Sequence, residues 1–157
     1  MTAEEFLLQI KKIDTVIDNK QIEIMQWKDR ATSTTTILTP DKVQSSGSQQ
    51  KMADSVERWL DLEREINADI DELIKVKKQV LSVLEKVTDA NEYNVLHMLY
   101  VQHKQYRSPA YVADALDMSE SWVKGKKKSG LNNLEKILAQ ERAKRAENLE
   151  KLKAIFS

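Results

Sequence analysis

The sequence has no cysteine, which excludes a disulfide framework and any metal centre built on thiolates and suits a reducing compartment. Its 157 residues include only two prolines and three glycines, and only 6% are aromatic. With 32% charged residues, this is the composition of long helices carrying charged faces and aliphatic stripes, so an all-α fold is expected. No long hydrophobic run occurs: near the start the longest apolar cluster is Phe6, Leu7 and Leu8, with no basic segment before it. Neither a signal peptide nor a membrane span is expected, and the expected location is the cytoplasm. The length suits one well-buried domain or two small ones.

Net charge is also missing, at 25 cations against 25 carboxylates, which by itself argues against nucleic acid. The average hides a gradient. Lys and Arg number 6 against 7 acidic residues over 1–50, 7 against 11 over 51–100, and 12 against 7 over 101–157. A basic contact module following an acidic helical body would have this distribution.

From Ala3 to Arg30, Phe6, Ile10, Ile13, Ile17, Ile24 and Trp27 recur at helical spacing and predict a first helix. A polar stretch from Ala31 to Gln50, rich in Ser and Thr and containing Pro40 and Gly47, reads as a connection. Val56, Trp59, Leu62, Ile66, Ile70, Leu73, Val76, Val80, Leu84 and Val87 then mark a second helix. Two such stripes must be buried, either in a long antiparallel, coiled-coil-like hairpin over 1–88 or by dimerisation through the same seam. A second domain over 89–138 opens with a helix from Ala90 to His103, capped by Thr88 or Asp89. Lys104 to Arg107 connect it to a short helix that starts at Ser108 and Pro109 and ends near Leu116. Asp117 and Met118 make a turn, and Ser119 and Glu120 open a further helix through Leu131, Leu134, Ile137 and Leu138. A polar stretch follows, and Leu149, Leu152, Ile155 and Phe156 resume an apolar stripe in a helical tail over 139–157.

The elements from Ser108 to Leu134 fit a helix-turn-helix. Ala113 supplies the small residue where two steeply crossed helices touch, and Val112, Leu116, Met118 and Val123 are spaced to fill the angle. With Val123 inward, periodicity points Ser121, Trp122, Lys124, Gly125 and Lys128 outward or to the rim. Trp122 fits a core or a contact role equally well. The helix over 119–138 would then be the recognition helix, with Ser119, Ser121, Trp122, Lys124, Lys126, Lys127 and Lys128 as candidate DNA contacts and the lysines available to phosphates or a guanine edge. Arg107, Ser108 and Tyr111 are placed to clamp a phosphate at the start of the preceding helix. The competing reading of the lysine run is a solvated face.

Nothing in the pattern favours catalysis. His97 and His103 lie six apart, off the spacing of four that zinc ligands share on a helix. Asp61, Glu65, Asp69 and Glu72 read as a solvated acidic face, without a histidine to complete a metal site. Gly47 is isolated, so no phosphate-cradling loop is present. A binding protein that is no enzyme and uses no cofactor or metal is expected.

Leu99-Tyr100, Val112-Ala113, Leu116, Met118-Ser119, Val123, Leu131 and Leu134 resemble the helix-turn-helix of region 4 in bacterial sigma factors. Ala31 to Thr35, Asp41 to Ser48, Met52-Ala53 and Leu62 to Ile66 further resemble small phage and prophage proteins of Gram-positive bacteria, related to the ArpU and RinA types of late transcriptional regulator. The resemblance implies a regulator of phage genes in a bacterial host cell that binds double-stranded DNA and works near RNA polymerase. It assigns no chemistry to Val43 to Ser48, a segment that periodicity alone reads as linker and that we take as a candidate contact loop. The chain departs from the pattern at Asp117, where glycine or asparagine is common, and in Lys124-Gly125-Lys126-Lys127-Lys128, where arginine and histidine are common. A homodimer or higher oligomer is expected. The alternatives are a DNA-packaging recognition subunit that forms a ring, and a protein-interaction module whose lysine-rich helix takes an acidic partner.

Overall fold

The computed structural model describes residues 1–33, 46–102 and 107–157. Residues 34–45, most of the polar connection and half of the candidate contact loop, and residues 103–106, with His103 and most of the second connection, lie outside the described residues, while Ser46 to Ser48 of that loop begin α2. Every regular element among the described residues is helical, as the composition predicts: α1 (Ala3–Ser33), α2 (Ser46–Leu84), α3 (Ala90–Leu96), a π-helical turn (His97–Val101), α4 (Pro109–Leu116) and α5 (Glu120–Phe156). Among these residues no helix is long and apolar enough to cross a membrane. The chain divides into two compact units, Lys12–Ile74 and Met1–Lys11 with Lys75–Ser157.

In the unit Lys12–Ile74, Ile17, Ile24, Leu62 and Ile66 form a buried cluster, edged by Ile13, Trp27, Trp59 and Leu73. The order of cross-helix pairs is reversed between α1 and α2: Lys20 meets Asp69 at 2.7 Å and Glu65 at 3.5 Å, and Lys28 meets Glu63 at 3.6 Å. Glu23 Oε1 receives Nη2 of Arg58 at 3.3 Å. The Asp69 hydrogen bond, set against partial desolvation, raises the Lys20 pKa above its ordinary value. Two expectations change here. Ile70 is 39% exposed, and Asp69 occupies the seam in its place. A seam that advances by three and then four residues passes through 62, 66, 69 and 73. The acidic series on α2 is therefore not a uniformly solvated face, because Asp69 and Glu65 reach α1.

In the other unit, Leu7, Ile10, Val80, Leu84, Val95, Leu96, Val112, Val123 and Leu134 are fully buried. Leu7, rather than its neighbour Phe6, takes the inward place at the start of α1. Asp89 caps α3, its Oδ1 accepting from the backbone N–H of Asn91 at 2.8 Å and of Glu92 at 3.1 Å. The single helix expected from Ala90 to His103 gives way after Leu96 to the π-helical turn. Met98, Leu99, Tyr100 and Val101 are buried consecutively there. A regular helix at 3.6 residues per turn would send one of four successive side chains outward. Gly130 lets α3 pack tightly on α5: a Cβ there would lie 3.0 Å from Leu96 Cδ1 and 3.3 Å from Glu92 Cβ. Glu92, buried, accepts from Asn133 Nδ2 at 2.7 Å. α5 is one helix of 37 residues, so the expected tail continues it without a break.

Candidate nucleic-acid interface

α4, the residues Asp117 to Ser119 and the start of α5 are fixed by local chemistry. Ser108 caps α4 by accepting from the Tyr111 N–H at 3.1 Å, and Pro109 takes the first helical position. At the other end Asp117 sits in the left-handed region, φ 53° and ψ 46°. The Met118 N–H then returns to the Ala113 carbonyl at 3.0 Å and the Asp117 N–H to Asp114 at 3.2 Å, the closure that ends many helices. Ser119 caps α5 by accepting from the Trp122 N–H at 3.1 Å. Two of the three serines expected as contacts, Ser108 and Ser119, are therefore helix caps. Val112, Ala113 and Val123 are buried. Met118 is 45% exposed and does not fill the angle between α4 and α5. Its place just after a left-handed residue turns it away from the angle that spacing alone assigned to it.

Ser121, Lys124, Gly125 and Lys128 are exposed together on one arc of α5, opposite Val123. Asn132, eight residues beyond Lys124, lies on the same arc and is also exposed. Sequence reasoning passed over it, although two further turns of the same period reach it. Among the described residues, neither Lys124 nor Lys128 has a carboxylate within ion-pair distance. A substituent on Gly125 would meet no atom within 4 Å.

The other two lysines have different surroundings. Lys126 is half-buried, 3.7 Å from Asp89 and 6.0 Å from the Trp122 ring centre. The backbone N–H groups of Glu92 and Asn91, with Lys126, hold the Asp89 carboxyl below the usual carboxylate range despite partial desolvation. Lys127 is 3.6 Å from Glu4 and 5.9 Å from the Tyr100 ring centre. Tyr100 Oη donates to Glu4 at 3.1 Å. Burial and that hydrogen bond raise the Tyr100 pKa, keeping the phenol protonated. The lysine run is thus split, with Lys124 and Lys128 toward solvent and Lys126 and Lys127 tied to the body. Trp122, half-buried, belongs with Lys126 on the rim.

Pro109 lies across from Lys124, Lys127 and Lys128 over a groove of about 390 Å³ floored by Leu99, Val123 and Leu131. The start of α4 and the exposed arc of α5 therefore share one side of the unit. Tyr111 is 42% exposed and does not line that groove. Arg107, half-buried, turns back instead, its Nε donating to the Gln102 carbonyl. His97 stacks on Tyr93 at 5.8 Å, and burial lowers its pKa below the ordinary imidazole value. Among the described residues no group of three or more His, Cys, Asp or Glu is placed to hold a metal ion.

Comparison with known proteins gives one family model, described as protein of unknown function DUF1492, which matches residues 31–135. No curated protein and no solved structure matches.

Proposed function

The chain belongs to the DUF1492 family, and from the geometry of α4 and α5 we propose that it is a non-enzymatic, DNA-binding transcriptional regulator with a sigma-region-4-like helix-turn-helix. In this reading α5 enters the major groove of double-stranded DNA, and α4 crosses the phosphate backbone. One observation carries it. The burial of Val123 leaves Ser121, Lys124, Gly125 and Lys128 exposed on a single arc, at the start of a capped helix.

The chemistry of that arc suits duplex DNA. Lysines without carboxylate partners neutralise phosphates, and a glycine between them lets the helix approach closely. Pro109 at the start of α4 borders the groove beside Lys124 and Lys128, and the start of α4 with the exposed Tyr111 would position the flanking phosphate. The setting in phage or prophage regulation, near RNA polymerase in a bacterial cytoplasm, rests on the sequence resemblance. A two-fold homodimer would read two half-sites about 34–36 Å apart.

The test is retention of pooled duplex genomic fragments by the full chain at about 50 mM salt, where phosphate contacts are strongest. We expect retention, with a recurring sequence among the retained fragments, and its loss on Lys124→Gln with Lys128→Gln. Absence of retention, or equal retention by the double variant, overturns the proposal.

A further inference from the structure

We infer that the final turns of α5 are a docking face for a partner protein that offers an apolar groove between acidic rims. This inference is independent of the DNA reading. Every residue from Arg142 to Ser157 is exposed, and Leu149, Leu152, Ile155 and Phe156 are 54%, 51%, 73% and 86% exposed. At about 100° per residue these four fall on one arc. It is the arc that carries Val123, Leu134 and Leu138 further up the same helix, where all three are buried. The face that packs into the unit therefore continues beyond it, with large apolar side chains in water.

The charges beside the stripe define what covers it. By the same periodicity Arg142 and Lys153 edge one side, Lys144 and Lys151 edge the other, and Arg145 lies within it. Glu147 and Glu150 sit on the back. Lys151 pairs with Glu147 at 2.7 Å, but both are about two-thirds exposed and the pair leaves the ammonium at the edge. Arg142 donates to the Met1 carbonyl, and both arginines border a groove with Leu138, Phe6 and Val83, where the stripe leaves the unit.

A second copy of this helix is a poor occupant. Both edges are basic, so a parallel and an antiparallel pairing each set cations against cations. The phosphates of a duplex would satisfy the cations and leave the stripe in water. Two turns of apolar surface also fall short of stable membrane anchoring, since even a single acyl chain binds only reversibly. An apolar groove with acidic rims matches both the stripe and its edges.

The experiment measures anisotropy of two labelled synthetic amphipathic helices against the full chain. Both carry the same leucine stripe, edged by glutamates in one and by lysines in the other. We expect saturable binding of the glutamate-edged helix, at least about tenfold tighter than the lysine-edged one. Lys144→Glu with Lys153→Glu, one exposed residue from each edge, should reverse that preference, and Leu152→Glu should abolish binding of both. Equal affinities, no binding, or a preference that survives the charge reversal overturns the inference. So does stripe-dependent binding to anionic phosphatidylglycerol vesicles without binding of either peptide. A concentration-dependent dimer that Leu152→Glu dissolves, seen by sedimentation, overturns it as well.

Discussion

Gly125 and Gly130 lie five residues apart in α5, one facing open space and the other facing Leu96 and Glu92 of α3 at 3.0–3.3 Å from where a Cβ would stand. An alanine in a helix interior is favoured over glycine by about 1 kcal/mol. At Gly125 nothing opposes that gain, so Gly125→Ala should raise stability by about 1 kcal/mol. At Gly130 the extra methyl must displace Leu96, and overpacking of this kind costs about 1–3 kcal/mol. Gly130→Ala should therefore be neutral or destabilising by up to about 2 kcal/mol once the helix gain is subtracted. Urea unfolding of the two variants, compared at equal m-value, checks the pair, and equal stabilisation of both would contradict the close α3–α5 contact. The sequence shows both glycines in a helix and nothing of this difference, because the partner is set by tertiary packing. The same limit applies to the lysines. Periodicity points Lys124 and Lys128 outward, but the ties of Lys126 to Asp89 and Lys127 to Glu4 depend on residues remote in sequence.

At the scale of elements, what local chemistry determines was legible. Asp89, Ser108 and Ser119 cap α3, α4 and α5 as their side chains and neighbours indicate, and Pro109 opens α4. The π-helical turn was not legible, since consecutive burial of Met98 to Val101 is a demand of the fold and leaves no periodic signal. Seam register was legible only in part. Apolarity selected Ile70, whereas Asp69 lies at the seam because Lys20 is there to meet it. The turn between α4 and α5 carries its own prediction. Asp117 holds a positive φ of 53°, a conformation that side chains with a Cβ adopt at a cost of roughly 1–2 kcal/mol and glycine adopts freely. Asp117→Gly should raise stability by about 1 kcal/mol, part of the relief being offset by the freer unfolded chain. Thermal unfolding measures it, and a loss of stability would show that the aspartate side chain holds the turn by another route.

For the molecule as a whole, zero net charge conceals a basic last third, and the structure divides that third again. Nine of its twelve cations fall on the exposed arc at the start of α5, on the ties to Glu4 and Asp89, and along the stripe at the end of the helix. The family match over residues 31–135 includes the first two groups and stops before the third. Lysines that stand side by side in the sequence therefore have different surroundings, and the proposed DNA reading gives them different tasks. The salt dependence of duplex DNA affinity for the full chain and for two double variants tests that division most directly. Lys124→Gln with Lys128→Gln should make the plot of log affinity against log salt shallower by about 0.9 for each phosphate no longer neutralised, close to 1.8 for the pair. Lys126→Gln with Lys127→Gln should leave that slope within about 0.5 of the parent. Identical slopes for the parent and both variants, or a larger change from the second pair, would contradict the assignment of Lys124 and Lys128 to DNA.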